Sequence, residues 1–243
     1  MKIWSMTDTG LVREENQDAY AVWHTGEYTV AVVCDGMGGT SGGQVASRIA
    51  VETYQEELSG ALQDGMSFTQ ISQMVLYSVA RANTAIRREA HTSPEYENMG
   101  TTLVSAVCRN QECLVCNIGD SRAYRINPEG IEQVSKDHSV VENMVEQGEI
   151  TAAEARKHPN RNLITRALGP DEKAKVDVFS IPWPAGEFLL LCTDGLINTV
   201  SDQEILFETI HAGDVEGCLE RLFELAQDRG APDNLTAVLL QNQ

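Results

Sequence analysis

The sequence predicts an α+β fold in which two antiparallel sheets pack together with helices outside them. Three observations carry that expectation. Helical patterns come in pairs, near residues 41–90 and 202–228, and do not alternate with strands as a doubly wound parallel sheet requires. Strand patterns follow one another from residue 101 to 134 with only short turns between them. Several apolar runs are continuous, as in strands covered on both faces, and they end or begin in an aspartate.

Taken in order, residues 2–6 and 18–23 read as short strands around a polar loop that holds Arg13, Glu15 and Asn16. The run Val30-Ala-Val-Val-Cys-Asp-Gly-Met-Gly-Gly39 reads as a buried strand that stops at a polar site, with Asp35 at its end. Its glycines allow the backbone to approach a ligand closely. Residues 41–58 then predict a helix capped by Ser41, with Val45, Ile49 and Tyr54 in helical spacing. A clearer helix comes next, because Ile71, Met74, Val75, Val79, Ala82 and Ile86 keep to one face. Strands are expected at 101–108, 112–118, 122–126 and 131–134, separated by Arg109-Asn110 and Asn127-Pro-Glu-Gly130, as one antiparallel meander. Helical character returns at 139–147, and residues 148–169 form a polar excursion with the length of a flap. Strands near 174–181 and 188–192, helices near 202–211 and 215–228, and a strand at 235–240 complete the chain.

A length of 243 residues with 42% hydrophobic residues suits one large domain, and no linker divides it. The formal charge of −18 opposes binding to nucleic acid or to an anionic membrane, which Lys and Arg chiefly mediate. Six cysteines are sparse for this length, and Cys34, Cys108, Cys116 and Cys192 lie inside apolar runs, so buried reduced thiols and a cytoplasmic location are expected. Cys113 and Cys116 form a lone C-x-x-C pair in a strand, where positions three apart face opposite ways, which argues against a zinc or redox site. The N-terminus lacks the apolar segment of a signal peptide, and no apolar stretch reaches membrane-spanning length.

The run around Asp35 has company. Glu187-Phe-Leu-Leu-Leu-Cys-Thr-Asp-Gly195 repeats apolar strand, Cys and Asp-Gly, with Asp194 in the place of Asp35. Another apolar run ends at Asp120, and the last strand begins after Asp233. Four carboxylates at the ends of four core strands can converge on one rim of a sheet, where unpaired they would raise one another's pKa values. A divalent cation relieves that repulsion, and an all-oxygen donor set suits Mg²⁺ or Mn²⁺ better than Zn²⁺.

Eight motifs run through nearly the whole chain. They are Arg13 with Asn16-Gln17-Asp18, Asp35-Gly-Met-Gly-Gly39, Gly100-Thr-Thr102, Gly119-Asp-Ser-Arg122, Asp137-His-Ser139, Leu163-Ile-Thr-Arg-Ala-Leu-Gly169, Thr193-Asp-Gly-Leu196 and Asp233-Asn-Leu-Thr236. In this order they resemble the metal-dependent protein phosphatases of the protein phosphatase 2C-like family, and closely its compact bacterial members. The resemblance implies a four-layer α/β/β/α sandwich in which residues 1–243 form a single catalytic domain, with two Mn²⁺ or Mg²⁺ ions at one end and a third, weaker one beside them. It implies that Asp35 bridges both core ions, that Asp194 and Asp233 hold the first, and that the Gly36 carbonyl helps hold the second. Asp120 with Asp194 would recruit the third ion. Asp18 would orient the attacking water, and Arg13 would grip the substrate phosphate.

The activity that the resemblance implies is hydrolysis of phosphoserine and phosphothreonine in proteins by a metal-activated water, opposing a Ser/Thr protein kinase, by a monomer. Arginine's planar fork suits phosphate oxygens, and no phosphoenzyme is needed. The chain departs from the family pattern at Gln17, where many relatives carry Glu, and at Met37, where animal relatives carry a histidine. Ala231-Pro232 is a less typical approach to Asp233. With Met37 unable to donate a proton, His158 in the flap becomes the candidate general acid. The rival reading is a pseudophosphatase that binds phosphoproteins without turnover, and the presence of all the core acids argues against it.

Overall fold

The computed structural model describes residues 1–39 and 41–243. In chain order its strands are β1 (Lys2–Asp8), β2 (Asp18–Thr25), β3 (Tyr28–Met37), β4 (Gly100–Thr101), β5 (Leu103–Arg109), β6 (Glu112–Ile118), β7 (Arg122–Asn127), β8 (Gly130–Gln133), β9 (Asp177–Pro182), β10 (Phe188–Cys192) and β11 (Leu235–Gln241). The helices are α1 (Gly42–Ala61), α2 (Phe68–Ala90), α3 (Val140–Glu146), α4 (Ala152–Ala155), α5 (Asp194–Ile197), α6 (Asp202–Leu206) and α7 (Cys218–Asp228).

Two antiparallel sheets form, one in the order β1-β11-β10-β7-β8 and the other in the order β2-β3-β5-β6-β9, with β4 pairing to β3. Three apolar clusters fill the spaces between four layers. Val30, Val32 and Cys34 of β3 meet Ala50, Tyr54, Ile71 and Val79 of α1 and α2. Ala31 and Val33, on the opposite face, meet Leu189, Leu191, Val238 and Leu240 of the other sheet. Leu190, Cys192, Leu235 and Leu239 turn outward against Leu219, Leu222 and Phe223 of α7. The central strands are therefore buried on both faces, which is why their sequences are continuously apolar. This is the α/β/β/α sandwich, with β-strand side chains alternating between two cores.

The structure corrects several local expectations. The meander divides between sheets: β5 and β6 form a hairpin in one, and β7 and β8 a hairpin in the other. Gly119 makes the crossing at φ +104°, and a Cβ there would lie 2.5 Å from Thr102 Cγ2. Cys108 is not a reduced thiol, because it is disulfide-bonded to Cys113, directly opposite across the β5–β6 hairpin. The tight turn at Asn110, φ +53°, sets that register. Cys34, Cys116, Cys192 and Cys218 are free and buried. Cys113 and Cys116 face different cores, as the strand period requires. Ser41 precedes α1 but its side chain makes no capping bond. The helix expected over 202–211 ends at Leu206 and gives way to a wider turn, Phe207–His211. Among the described residues no helix is long and apolar enough to cross a membrane.

Candidate active site

The sandwich leaves a cleft of about 630 Å³ at one end, and Asp35, Asp120, Asp194 and Asp233 all line it together with Gly36 and Arg13. The topology explains the convergence. Asp35 comes near the end of β3, Asp194 lies just past β10, Asp120 precedes β7 and Asp233 precedes β11, so antiparallel neighbours bring strand beginnings and strand ends to the same rim. β3 continues two residues past Asp35 through its pairing with β4, so the acid lies inside the strand and not at its end. Asp194 opens the short helix α5, four residues that are too few to leave a periodic pattern in the sequence.

Backbone and hydroxyl groups hold these acids in place. The Asp35 N–H donates to Thr102 Oγ1 at 2.9 Å, and its carbonyl accepts from the Thr102 N–H at 2.9 Å and the Thr101 hydroxyl at 2.8 Å. Asp18 pairs in register with Asp35 on the neighbouring strand. Its Oδ2 accepts from the Thr193 hydroxyl at 2.9 Å, while its Oδ1 is buried without a hydrogen-bond partner. Asp194 accepts from Asn198 Nδ2 at 3.0 Å. Gly36 permits no side chain, because a Cβ would lie 2.1 Å from the Gly43 carbonyl oxygen of α1 and 2.6 Å from that of Gln17. Strand end and helix start thus close on each other at two glycines.

The electrostatics arise from crowding. Burial, then the charges of Asp18 and Asp194, hold the Asp35 carboxyl well above the usual carboxylate range. Burial and then Asp194 and Asp137 do the same to Asp120. Burial followed by Asp233 raises Asp194. Asp18 is pushed up to about 7, first by burial, against the opposing pull of hydroxyl bonds from Thr236 and Thr193. Arg13 is the cation lining this cleft; its Nη2 donates to Asp233 Oδ2 at 2.9 Å, and its side chain is 56% exposed.

The donor set fits a divalent cation. Half-buried carboxylates that repel one another, a buried Asp18 oxygen with no partner, and oxygen atoms only are the environment that hard cations satisfy. Among the described residues no three His, Cys, Asp or Glu side chains stand closed up as a ready ligating group. Asp233 leans instead on Arg13, and Asp194 on Asn198.

Several residues that shape the site carry no local signal of their role. Asn234 pins the Arg13 loop: its Oδ1 accepts from the Gln17 N–H at 2.8 Å, and its Nδ2 donates to the carbonyls of Thr9 and Glu15. Arg122 grips Asp137 through Nε and Nη2, at 2.9 and 2.7 Å. His138 is buried; burial lowers its pKa against the opposing bond to Asp177. All three residues lie in motifs that carry the family resemblance, but their partners are distant in sequence. Gln17 presents its Oε1 toward Gly43, and its Nε2 donates to the Gly39 carbonyl at 3.1 Å. Ala231, before Asp233, takes a left-handed φ of +29°.

His158 is not brought to the cleft. It follows the capped turn α4, its Nδ1 accepts from the Asn160 N–H at 3.1 Å, and Asn162 and Ile164 are the flap residues that line the cleft. The lining of the cleft lends no support to His158 as the group that protonates the leaving oxygen.

Known proteins resemble this chain over nearly its whole length. A family model described as Protein phosphatase 2C matches residues 12–240. The chain is similar to serine/threonine phosphatase stp of Listeria innocua, 32% identical over 239 residues, 97% of this chain and 93% of the relative. It is also similar to serine/threonine protein phosphatase PstP of Mycobacterium tuberculosis, 35% identical over 233 residues, 96% of this chain and 43% of that longer protein. Among solved structures, serine/threonine phosphatase Stp1 from Staphylococcus aureus superposes with a TM-score of 0.92 at 33% identity, covering 100% of this chain and 95% of that one.

Proposed function

The chain belongs to the protein phosphatase 2C family, and from that premise we propose that it hydrolyses phosphoserine and phosphothreonine in proteins at the four-aspartate cleft. The observation that carries the reading is the convergence of Asp35, Asp120, Asp194 and Asp233 from four strand termini beside Arg13. The family is metal-dependent in general, and the donor set here favours Mn²⁺ or Mg²⁺, two core ions and a third, weaker one. Asp35, the Gly36 carbonyl, Asp194 and Asp233 would hold the core pair, and Asp120 with Asp194 the third. When bound, such ions supply an activated water and offset charge on the phosphoryl oxygens.

The chain's own residues do the rest. Arg13 uses one nitrogen on Asp233 and has further N–H groups to bind phosphate oxygens from the open side of the cleft. Asp18, paired in register behind Asp35, would act on the attacking water from outside the direct lining of the cleft. The Thr193 hydroxyl holds the Asp18 carboxylate, and Thr102 Oγ1 accepts from the Asp35 N–H and so fixes the backbone from which that carboxylate projects. The flap residues Asn162 and Ile164 border the substrate's approach. Residues 1–243 act as one catalytic domain, as a monomer in the cytoplasm, on proteins phosphorylated by an opposing Ser/Thr kinase.

The test is release of phosphate from a phosphothreonine peptide and from p-nitrophenyl phosphate, with Mn²⁺ and with a chelator. Mn²⁺-dependent turnover on both is expected. Tight phosphopeptide binding with no turnover at any Mn²⁺ concentration would return the chain to the pseudophosphatase reading.

A further inference from the structure

Of the four cleft aspartates only Asp233 makes an ion pair among those described, and the position of Asp120 depends on the turn before it. Gly119 crosses between the sheets at φ +104° and is held on both sides by one residue. Its N–H donates to His138 Nδ1 at 3.1 Å, and its carbonyl accepts from the His138 N–H at 2.9 Å. That carbonyl belongs to the peptide plane that leads into Asp120, so its orientation fixes where the Asp120 side chain starts. The other flank is tied as well, because the Ser121 hydroxyl lies 2.7 Å from Thr102 Oγ1.

His138 is itself braced. An imidazole nitrogen that accepts from Gly119 carries no proton, so the proton sits on Nε2 and is donated to Asp177 Oδ2 at 3.0 Å. Arg166 Nη1 lies 3.1 Å from His138 Nε2 and 3.2 Å from Asp177 Oδ1, and with Nε2 protonated it is the carboxylate that accepts from it. The ring is 3% exposed and fixed at both nitrogens, and the His138 carbonyl accepts from Thr165 at the root of the flap at 2.7 Å. This chain of carboxylate, imidazole and backbone is more than packing needs; a buried aliphatic side chain would fill the same space.

We propose that His138 is a positioning residue for Asp120, setting the Gly119–Asp120 peptide so that this carboxylate can hold the weakest of the divalent ions. The inference rests on the reading of Asp120 as a cation ligand, and its test separates the two. Mn²⁺ binding is measured directly by paramagnetic resonance titration of free Mn²⁺, alongside turnover, for His138→Leu, His138→Asn and Asp120→Ala. Asn places its amide oxygen near the position of Nδ1 and keeps an acceptor for Gly119.

His138→Leu is expected to weaken the last-bound ion by about 10–100-fold, the usual scale for losing an outer partner of a metal ligand, while the tighter ions bind as before. His138→Asn should recover most of that loss. In an Asp120→Ala background, His138→Leu should cost nothing further in Mn²⁺ binding. If His138→Leu fails to fold, Asp177→Ala, which removes the brace on His138 together with the Arg166 pair, should weaken the same ion by a smaller factor. Unchanged Mn²⁺ binding in the His138 or Asp177 variants, or losses fully additive with Asp120→Ala, would overturn the positioning role. An Asp120→Ala protein that binds every ion normally would overturn the reading beneath it as well.

Discussion

The two ends of the sandwich are built from the same strands and differ in how their charges are settled. At the far end, β10 begins after Glu187, whose carboxylate accepts from Arg125 Nε and Nη2 and from Asn127 Nδ2 of β7. There Glu27 meets Arg109, and Asn242 donates to the carbonyls of Asn110 and Trp183. At the cleft end the same strands carry Asp35, Asp120, Asp194 and Asp233, with Arg13 as the cation lining the cleft. One end settles its charges among its own side chains, and the other is the end that cations and substrate would complete. Function here sits where the fold leaves charge unbalanced.

The comparison breaks most sharply if the cleft acids are dispensable. Asp35→Asn and Asp194→Asn should each lower kcat by about 10²–10³-fold at saturating Mn²⁺, the scale of losing one electrostatic partner of a transition state. In chelator the same variants should melt higher than the parent, since each removes repulsion. Phosphate release and calorimetry check the two halves.

A second effect concerns pH. Asp18 has a folded-state pKa of about 7, above the value near 4 of an unfolded chain, and Asp35, Asp120 and Asp194 shift the same way. Between those values the folded protein holds protons that the unfolded chain has released, so the metal-free protein loses stability as pH rises from about 4 to about 7. A fall in melting temperature on the order of 5 °C over that range is expected in chelator. Mn²⁺ should abolish it by replacing the protons. A metal-free protein that is more stable at pH 7 than at pH 5 would contradict the crowded-carboxylate account.

Arg13→Ala should lower kcat/KM for a phosphothreonine peptide by about tenfold, chiefly through KM, because the guanidinium lost is exposed and binds the phosphate in ground and transition states alike. At the far end, Glu187→Gln should cost about 1 kcal/mol of stability and leave kcat, KM and Mn²⁺ dependence unchanged. The smallest effect belongs to His158→Ala, which should act on the phosphothreonine peptide as the parent does. A loss confined to that peptide, with p-nitrophenyl phosphate unaffected, would restore His158 as the acid.

By itself the sequence determined the layers and the acids. Continuous apolar strands, paired amphipathic helices and aspartates at strand termini are local patterns, so the two sheets and the four cleft carboxylates were legible from residue order and period. Tertiary structure decided what depends on residues far apart in the chain. It split the meander at Gly119, joined Cys108 to Cys113 across a hairpin, left His158 outside the lining of the cleft, and brought Asn234 to the Arg13 loop and His138 to Gly119. A hydrogen bond spanning 217 residues, as from Gln17 to Asn234, leaves no periodic trace in the sequence, because its geometry exists only once both sheets have closed.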